Sequence, residues 1–387
     1  MAIRVNPKLI DELEHYGAED VYLCYHCGDC SAICSHADEV FVFPRKSMRS
    51  LQMGLERKLE TGLEPWLCYY CGQCSEQCPR GADPGESMMS IRRWLISRYD
   101  ITGLARILFK SIKTEIIVLA IISLLTGAGF FLWNLPQRDL KIYDGYGAFL
   151  SSSFMHKFDL ILALSIGSII IINAFRMWWF SLGRDNNLMI PMWLYFKHIH
   201  LLPWHFISQK RYADCEAKKS YWSNIPWLAH LGLMFGYVTM LILVMGFIKQ
   251  LQFGPEIDWS VHVFGYFASF GLILGIIYFT RSRLRKTKVQ SRKSHGSDWV
   301  FIILLMLVVV TGVTQHILHR SGLPVAANIF YVIHLMFVLP WLLTMPFSKI
   351  MHMFYRPLAM YFAEIRVEAL EIKVRQAEHK IQPDYIV

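Results

Sequence analysis

Charged residues are scarce in this chain of 387 residues: they make up 18%, whereas hydrophobic residues make up 54%. A soluble core cannot hide that much apolar surface, so the composition excludes an ordinary soluble protein. The scarcity is also uneven, because the first hundred or so residues are polar and the remainder alternates long apolar runs with short basic ones. This is typical of a polytopic membrane protein with a soluble N-terminal domain.

The N-terminus lacks an apolar stretch preceded by basic residues, so it does not resemble a secretory signal. We therefore expect the first domain to stay in the cytoplasm, where disulfides are rare. Eight of the nine cysteines fall into two tight groups. In an unexported domain, such density favours metal ligation over disulfides.

Both cysteine groups have the spacing Cys-x2-Cys-x2-Cys-x3-Cys, which is typical of ferredoxins with two [4Fe–4S] clusters. In such proteins the fourth cysteine of each run ligates the other cluster. Zinc more often takes its ligands in two pairs, so two zinc sites or a disulfide lattice are weaker alternatives. The predicted ligands of cluster A are Cys24, Cys27, Cys30 and Cys78, and those of cluster B are Cys68, Cys71, Cys74 and Cys34.

The segment between the two groups has a helical pattern, with a predicted amphipathic helix from Pro44 to Glu60. We therefore expect an α-helical ferredoxin and not the compact β-containing kind. A basic, partly amphipathic stretch from Arg92 to Lys113 is expected to lie on the membrane surface.

Six later runs are apolar enough to cross a bilayer core of ~30 Å, and backbone groups in lipid must be satisfied internally, so these runs are predicted helices. The fold class is accordingly all-α: an α-helical ferredoxin domain followed by a six-helix transmembrane bundle of cytochrome b type. The runs are about 116–133, 160–180, 226–248, 261–280, 299–318 and 326–347. The predicted domains are 1–112 (two [4Fe–4S] clusters), 113–352 (transmembrane, haem b) and 353–387 (amphipathic cytoplasmic tail).

Basic residues concentrate in the loops after the second and fourth runs, which predicts that these loops are cytoplasmic. With six spans, both termini and the cysteine domain then share the cytoplasmic face of the inner membrane. The formal net charge of +9 is explained by this topology, so we expect no nucleic-acid partner.

The chain has no Cys-x-x-Cys-His motif, so a haem would be held non-covalently by axial histidines. His334 and His352 are eighteen residues apart, which is five full helical turns, so both lie on one face about 27 Å apart. His230, early in the third run, lies at the same depth as His352. We predict that His230 and His352 bind the b haem nearest the clusters.

A second b haem would use His334 at the opposite face. Its partner is less determined by the sequence: His316 is favoured, His262 is next, and Met240 is a possible sulfur ligand. One or two haems are therefore expected.

The cysteine domain resembles the C subunit of heterodisulfide reductase. From about residue 155, the chain resembles the cytochrome b of respiratory nitrate reductase and the E subunit of heterodisulfide reductase, through His230 and through HLMFVLPWLLTMPFSKIMHMFYRP, which contains His334 and His352. The nitrate-reductase cytochrome has a second histidine ten residues after the first, where this chain has Met240. The fusion of the two parts is similar to the C subunits of quinone-interacting membrane-bound oxidoreductase (Qmo) complexes of sulfate reducers.

This resemblance implies menaquinol oxidation, flavin-containing soluble iron–sulfur partner subunits, and electron delivery onward to adenylylsulfate reductase. A quinol site also needs a proton acceptor near the distal haem, and the short loop before the fourth run offers His262 and Asp258. The alternative function is a membrane anchor or assembly subunit of a heterodisulfide-reductase-like complex that carries clusters only.

Overall fold

The structure is a computed structural model that describes residues 4–134, 152–185, 188–216, 224–252, 257–286 and 288–381. Within these ranges the regular elements are helices, and no strand occurs, which confirms the all-α prediction. The α-helices are α1 (Leu9–Glu14), α2 (Asp29–Ala32), α3 (Arg45–Gln52), α4 (Glu56–Glu60), α5 (Glu64–Leu67), α6 (Gln73–Glu76), α7 (Pro84–Tyr99), α8 (Leu104–Lys110), α9 (Ile112–Asn134), α10 (Ser152–Trp178), α11 (Met192–His198), α12 (Leu201–Ser208), α13 (Lys210–Glu216), α14 (Ile225–Gln252), α15 (Trp259–Arg285), α16 (Val289–Arg292), α17 (Gly296–Arg320), α18 (Pro324–Thr344) and α19 (His352–Ile381).

The cysteine domain, residues 4–110, is built around α7. This helix begins with Pro84, whose missing N–H costs nothing at the first helical position. The Asp83 carboxylate caps it by accepting a hydrogen bond from the Glu86 N–H at 3.1 Å. Trp66 and Trp94 are fully buried in the core that surrounds α7.

The single helix predicted from Pro44 to Glu60 is wrong, because two helices, α3 and α4, occupy this segment. They are separated at Gly54, which has a φ of +64°. A Cβ there would lie 2.3 Å from the Asn6 carbonyl oxygen. The chain therefore turns at Gly54 and packs directly on the N-terminal segment.

The prediction that Arg92 to Lys113 lies on the membrane surface is wrong for its first residues. Arg92 and Arg93 are buried within the cysteine domain, at 8% and 5% exposure. Arg93 pairs with Glu86 at 2.9 Å, and Arg98 pairs with Glu60 at 2.5 Å. The carboxylates that pair with Arg93 and Arg98 come from the chain itself, so these two guanidinium groups do not need a lipid headgroup.

Six helices of the described chain are long and apolar enough to cross a membrane, which confirms the six predicted spans. Many large apolar side chains on them are exposed, as expected for lipid contact; Ile171 and Phe267 are examples. The spans are Ile112–Phe130, Ser153–Gly183, Ile225–Leu251, Trp259–Arg285, Gly296–Arg320 and Pro324–Phe347. The chain is therefore a multi-pass membrane protein.

Glycines allow α14 and α15 to approach closely. A Cβ at Gly236 would lie 2.7 Å from the Ala268 carbonyl oxygen, and one at Gly271 would lie 2.8 Å from the Gly232 carbonyl oxygen. Small residues at such spacing let two membrane helices pack backbone to backbone. This packing fixes the position of His230 on α14 relative to α15.

The final helix, α19, joins the membrane bundle to the cysteine domain. The Tyr355 ring contacts Trp66 at 5.2 Å and Tyr99 at 5.4 Å between ring centroids. Further along α19, Glu368 pairs with Lys197 at 2.6 Å. The first half of the predicted tail is thus part of the core of the cysteine domain, while the division into 1–112, 113–352 and 353–387 stays a prediction.

Candidate metal centres

The two cysteine loops have the same backbone conformation. The residue two positions after the first cysteine, His26 in one loop and Tyr70 in the other, has a positive φ. Its N–H approaches the sulfur of that cysteine, at 3.5 Å for Cys24 and 3.3 Å for Cys68. Such N–H groups stabilise negative charge on a ligating sulfur and tune the potential of a cluster.

A glycine follows in each loop, and it begins the short helix that carries the third cysteine. Gly28 has a φ of +102° and Gly72 a φ of +84°, a conformation that residues with a Cβ rarely adopt. A Cβ at Gly72 would also lie 2.7 Å from the Cβ of Val289 on α16. The second loop therefore depends on glycine both for its turn and for its contact with the membrane domain.

The fourth cysteine of each run lies with the other run. Cys78 lies close enough to Cys24 for the charges of the two thiolates to interact. Cys34 interacts in the same way with Cys68 and Cys71. The short helices of the two loops, α2 and α6, are in contact. This arrangement of neighbours is the one that the crossed ligand sets require.

The thiols are suited to a metal cluster and poorly suited to remaining free thiolates. Burial raises the pKa of Cys30 to about 11 and also raises the pKa of Cys74. A thiolate at these positions is therefore favoured by a nearby positive charge such as that of a bound metal. Across the described chain none of the eight cysteines forms a disulfide, and no three His, Cys, Asp or Glu side chains there meet closely enough to hold a single metal ion. The four ligands of a [4Fe–4S] cube bind different corners, so they need not converge on one ion.

His230 and His352 face each other between α14 and the start of α19. Their ring centroids are 6.0 Å apart, with an angle of 59° between the ring planes. Two imidazoles that each bind an intervening metal ion at about 2 Å through Nε2 place their ring centres roughly 6 Å apart. The spacing therefore fits bis-histidine ligation of a haem iron.

Hydrogen bonds fix which nitrogen each ring presents. His230 Nδ1 donates to the Gln209 side-chain oxygen at 2.6 Å, and His352 Nδ1 donates to the Lys349 carbonyl oxygen at 2.5 Å. Both rings keep Nε2 for a ligand, which is the usual arrangement for a metal-binding histidine. Burial lowers the pKa of His352 to about 3, so its imidazole stays neutral, the form that binds iron.

Both histidines line one cavity of about 350 Å³ between the membrane bundle and the cysteine domain. Tyr69 and Tyr70, which follow the predicted cluster B ligand Cys68, line the same cavity. The Cys68 carbonyl oxygen accepts hydrogen bonds from Arg92 and, at 3.2 Å, from Arg356. The cavity lined by His230 and His352 is thus in direct contact with the second cysteine loop.

His334 lies midway along α18 and packs against α17. The prediction that His334 and His352 lie on one face of a single helix is wrong, because two 3-10 turns and an extended Ser348 separate α18 from α19. His334 Nδ1 donates to Thr311 Oγ1 at 3.0 Å, and a Cβ at Gly312 would lie 2.9 Å from the His334 ring. Gly312 therefore leaves the space that the imidazole occupies. His316 follows Thr311 by five residues, about 7.5 Å along the helix.

The structure brings His316 together with His262, at 5.7 Å between ring centroids. His316 Nε2 shares a hydrogen bond with the Tyr266 hydroxyl at 3.0 Å. Within the described residues, the His316 ring therefore contacts His262 and Tyr266 of α15. The His334 ring instead forms a hydrogen bond with Thr311 of α17. The partner of His334 stays a prediction.

Asp258, predicted with His262 to serve a quinone, caps α15. Its carboxylate accepts hydrogen bonds from the Ser260 N–H at 3.1 Å and the Ser260 hydroxyl at 2.5 Å. Its carbonyl oxygen accepts a bond from His262 Nδ1 at 2.9 Å. Asp258 thereby orients His262, which is 3% exposed.

Sequence reasoning missed four residues around the cavity of His230 and His352: Gln209, Lys349, Arg92 and Arg356. One of them could have been found, since Arg356 is four residues after His352 and so lies on the same helical face. The contacts of Gln209 and Arg92 cross long stretches of chain, and no local pattern indicates them.

A family model described as a 4Fe-4S dicluster domain matches residues 18–82, a range that includes all eight clustered cysteines. No curated protein and no solved structure matches the chain. The family match and the six apolar helices together make this chain a membrane iron–sulfur protein, with the clusters expected of an electron-transfer component.

Proposed function

We propose that this chain is a quinol-interacting membrane electron-transfer subunit. It oxidises menaquinol, passes electrons through b haems to cluster B and then cluster A, and delivers them to soluble partners. The observation that carries the proposal is the paired imidazoles of His230 and His352, 6.0 Å apart in a cavity that contacts the cluster B loop.

Each residue near that cavity has a distinct task in this proposal. His230 and His352 hold the haem, which when bound supplies one-electron redox chemistry. Gln209 and Lys349 orient the two rings through Nδ1. His334, midway along α18, would hold a second haem, and His262, whose ring is fixed by the Asp258 carbonyl oxygen, would accept a proton from the quinol near the other face.

The exposure of the cysteine loops favours one direction for electron exit. Cys68 of cluster B is 8% exposed and lies towards the bundle, whereas Cys27 of cluster A is exposed. Tyr22 and Tyr25 beside it are also exposed, at 64% and 68%. We propose that soluble flavin-containing iron–sulfur subunits dock there and pass electrons on to adenylylsulfate reductase.

The cysteine domain and the basic loop before α17 lie at the same end of the bundle. Lys293 pairs with Asp20 and, at 3.5 Å, with Asp83, and His295 donates to the His15 carbonyl oxygen at 3.4 Å. By the positive-inside rule this end is cytoplasmic. We therefore propose an inner-membrane protein with its clusters in the cytoplasm.

Labelling of introduced cysteines tests this orientation. A membrane-impermeant maleimide should label Ser321→Cys, in the turn after α17, in intact cells. It should label Arg292→Cys only after permeabilisation, because that exposed residue lies at the cytoplasmic end. The parent chain supplies the background, and the opposite pattern of labelling would contradict the proposed topology.

A pyridine haemochrome assay and anaerobic quinol reduction test the function. The purified full chain should contain b haem, and a menaquinol analogue should reduce first the haem and then the clusters. The alternative, a cluster-only anchor or assembly subunit, requires no haem and no reduction by quinol while dithionite still reduces the clusters. A haem-free chain with intact clusters would establish that alternative.

A further inference from the structure

Two arginines from different domains converge on one carbonyl oxygen. Arg92 of α7 donates from Nε to the Pro65 carbonyl oxygen at 2.5 Å and from Nη2 to the Cys68 carbonyl oxygen. Arg356 of α19 donates to the same Cys68 oxygen at 3.2 Å and lies over the Tyr69 ring at 3.8 Å. Two like charges are therefore held close together at the edge of the haem cavity.

Neither guanidinium group has a carboxylate partner within the described ranges. Arg93 and Arg98 on the same helix differ in this respect, since Arg93 pairs with Glu86 and Arg98 with Glu60. Arg92 is 8% exposed, and a buried charge is costly unless it is paired. The negative group beside both arginines is the Cys68 sulfur, so one thiolate faces two cations and leaves room for an anion from outside the chain.

The geometry of the cavity indicates where that anion belongs. Arg92 and Arg356 line the same cavity of about 350 Å³ as His230 and His352. Arg356 is one helical turn after His352, on the same face of α19. The planar guanidinium fork binds carboxylates through two parallel hydrogen bonds.

We propose that Arg92 and Arg356 form a carboxylate-binding site for the propionate groups of the haem held between His230 and His352. The inference rests on the proposed haem site and adds the residues that orient the porphyrin within it. When the arginines bind the propionates, Arg92 and Arg356 contact the haem and also the carbonyl oxygen of the cluster B ligand Cys68.

Binding of haem and of its dimethyl ester to haem-depleted full-length protein tests the site. The ester keeps the iron and the porphyrin but has no charged propionates. Wild-type protein should bind haem about ten- to 100-fold more tightly than the ester, the usual worth of a charge-assisted hydrogen bond. Arg356→Gln should weaken haem binding by a similar factor and leave ester binding unchanged.

Arg375→Gln is the matched control, because it removes an exposed arginine from the same helix and should leave both affinities unchanged. Arg356→Lys keeps the charge but loses the fork, so it should restore only part of the preference for haem. An iron content of about eight per chain shows that each variant is folded.

Equal affinity of wild-type protein for haem and ester would overturn the inference and leave the haem site intact. An equal loss of both ligands in Arg356→Gln would also overturn it. If the wild-type protein binds neither ligand, the proposed haem function itself fails.

Discussion

Replacing His352 by alanine should abolish the low-spin signal of the haem nearest the clusters, and His230→Ala should do the same. Each ring presents Nε2 into one cavity, with Nδ1 held by a hydrogen bond. Removing either ring leaves the iron with one strong axial ligand, so it becomes high-spin or the site loses its haem. Optical and EPR spectra of the purified variants measure the change.

The clusters should survive these substitutions. Dithionite should still reduce them in His352→Ala, whereas a quinol analogue should not, because the route from quinol through the haem is broken. His198→Ala is a suitable control, since that ring pairs with Glu368 at 2.7 Å outside the spans. If both His230→Ala and His352→Ala keep their haem content and spin state, the pairing is wrong.

His334→Ala separates one haem from two. Loss of only part of the haem is expected if a second site exists near Thr311. If His334→Ala alone removes all the haem, the chain has a single site that differs from the one we assign.

The spans could be predicted because each needs about 20 consecutive apolar residues, a feature that the sequence shows directly. The same arithmetic does not hold between His334 and His352, because α18 ends at Thr344 and a new helix begins at His352. Sequence does not give the rotation of a helix or the order of its neighbours. For this reason His316 was predicted as the partner of His334 from its depth, whereas in the structure its ring lies beside His262.

Local sequence patterns also did not indicate which charged residues are buried. The run of arginines after Ile91 has the composition of a membrane-surface helix, yet Arg93 is paired with Glu86 and Asp298, the latter at 3.8 Å and 205 residues further along the chain. Gly54 was missed in the same way, because the reason for its turn is contact with Asn6. In each case a contact with a residue far away in the sequence determines the local structure.

The eight cysteines, by contrast, carry a repeated spacing, and this makes a sharp test of crossed ligation possible. Under the crossed scheme Cys34 and Cys71 both belong to cluster B, so a double variant Cys34→Ala with Cys71→Ala should lose one cluster only. Non-haem iron should fall from about eight to about four per chain, and each single variant should show the same loss. Alanine is used because serine oxygen can replace a cysteine ligand.

The double variant of Cys78→Ala with Cys71→Ala is the matched control, because it has the same number of changes and removes one ligand from each crossed set. It should lose both clusters. Uncrossed ligation exchanges the two outcomes: Cys34 with Cys71 would then remove both clusters, and Cys78 with Cys71 only one. The neighbours of Cys34 in the structure include Cys68 and Cys71, so non-haem iron and acid-labile sulfide near four in the first double variant and near zero in the second are the expected result.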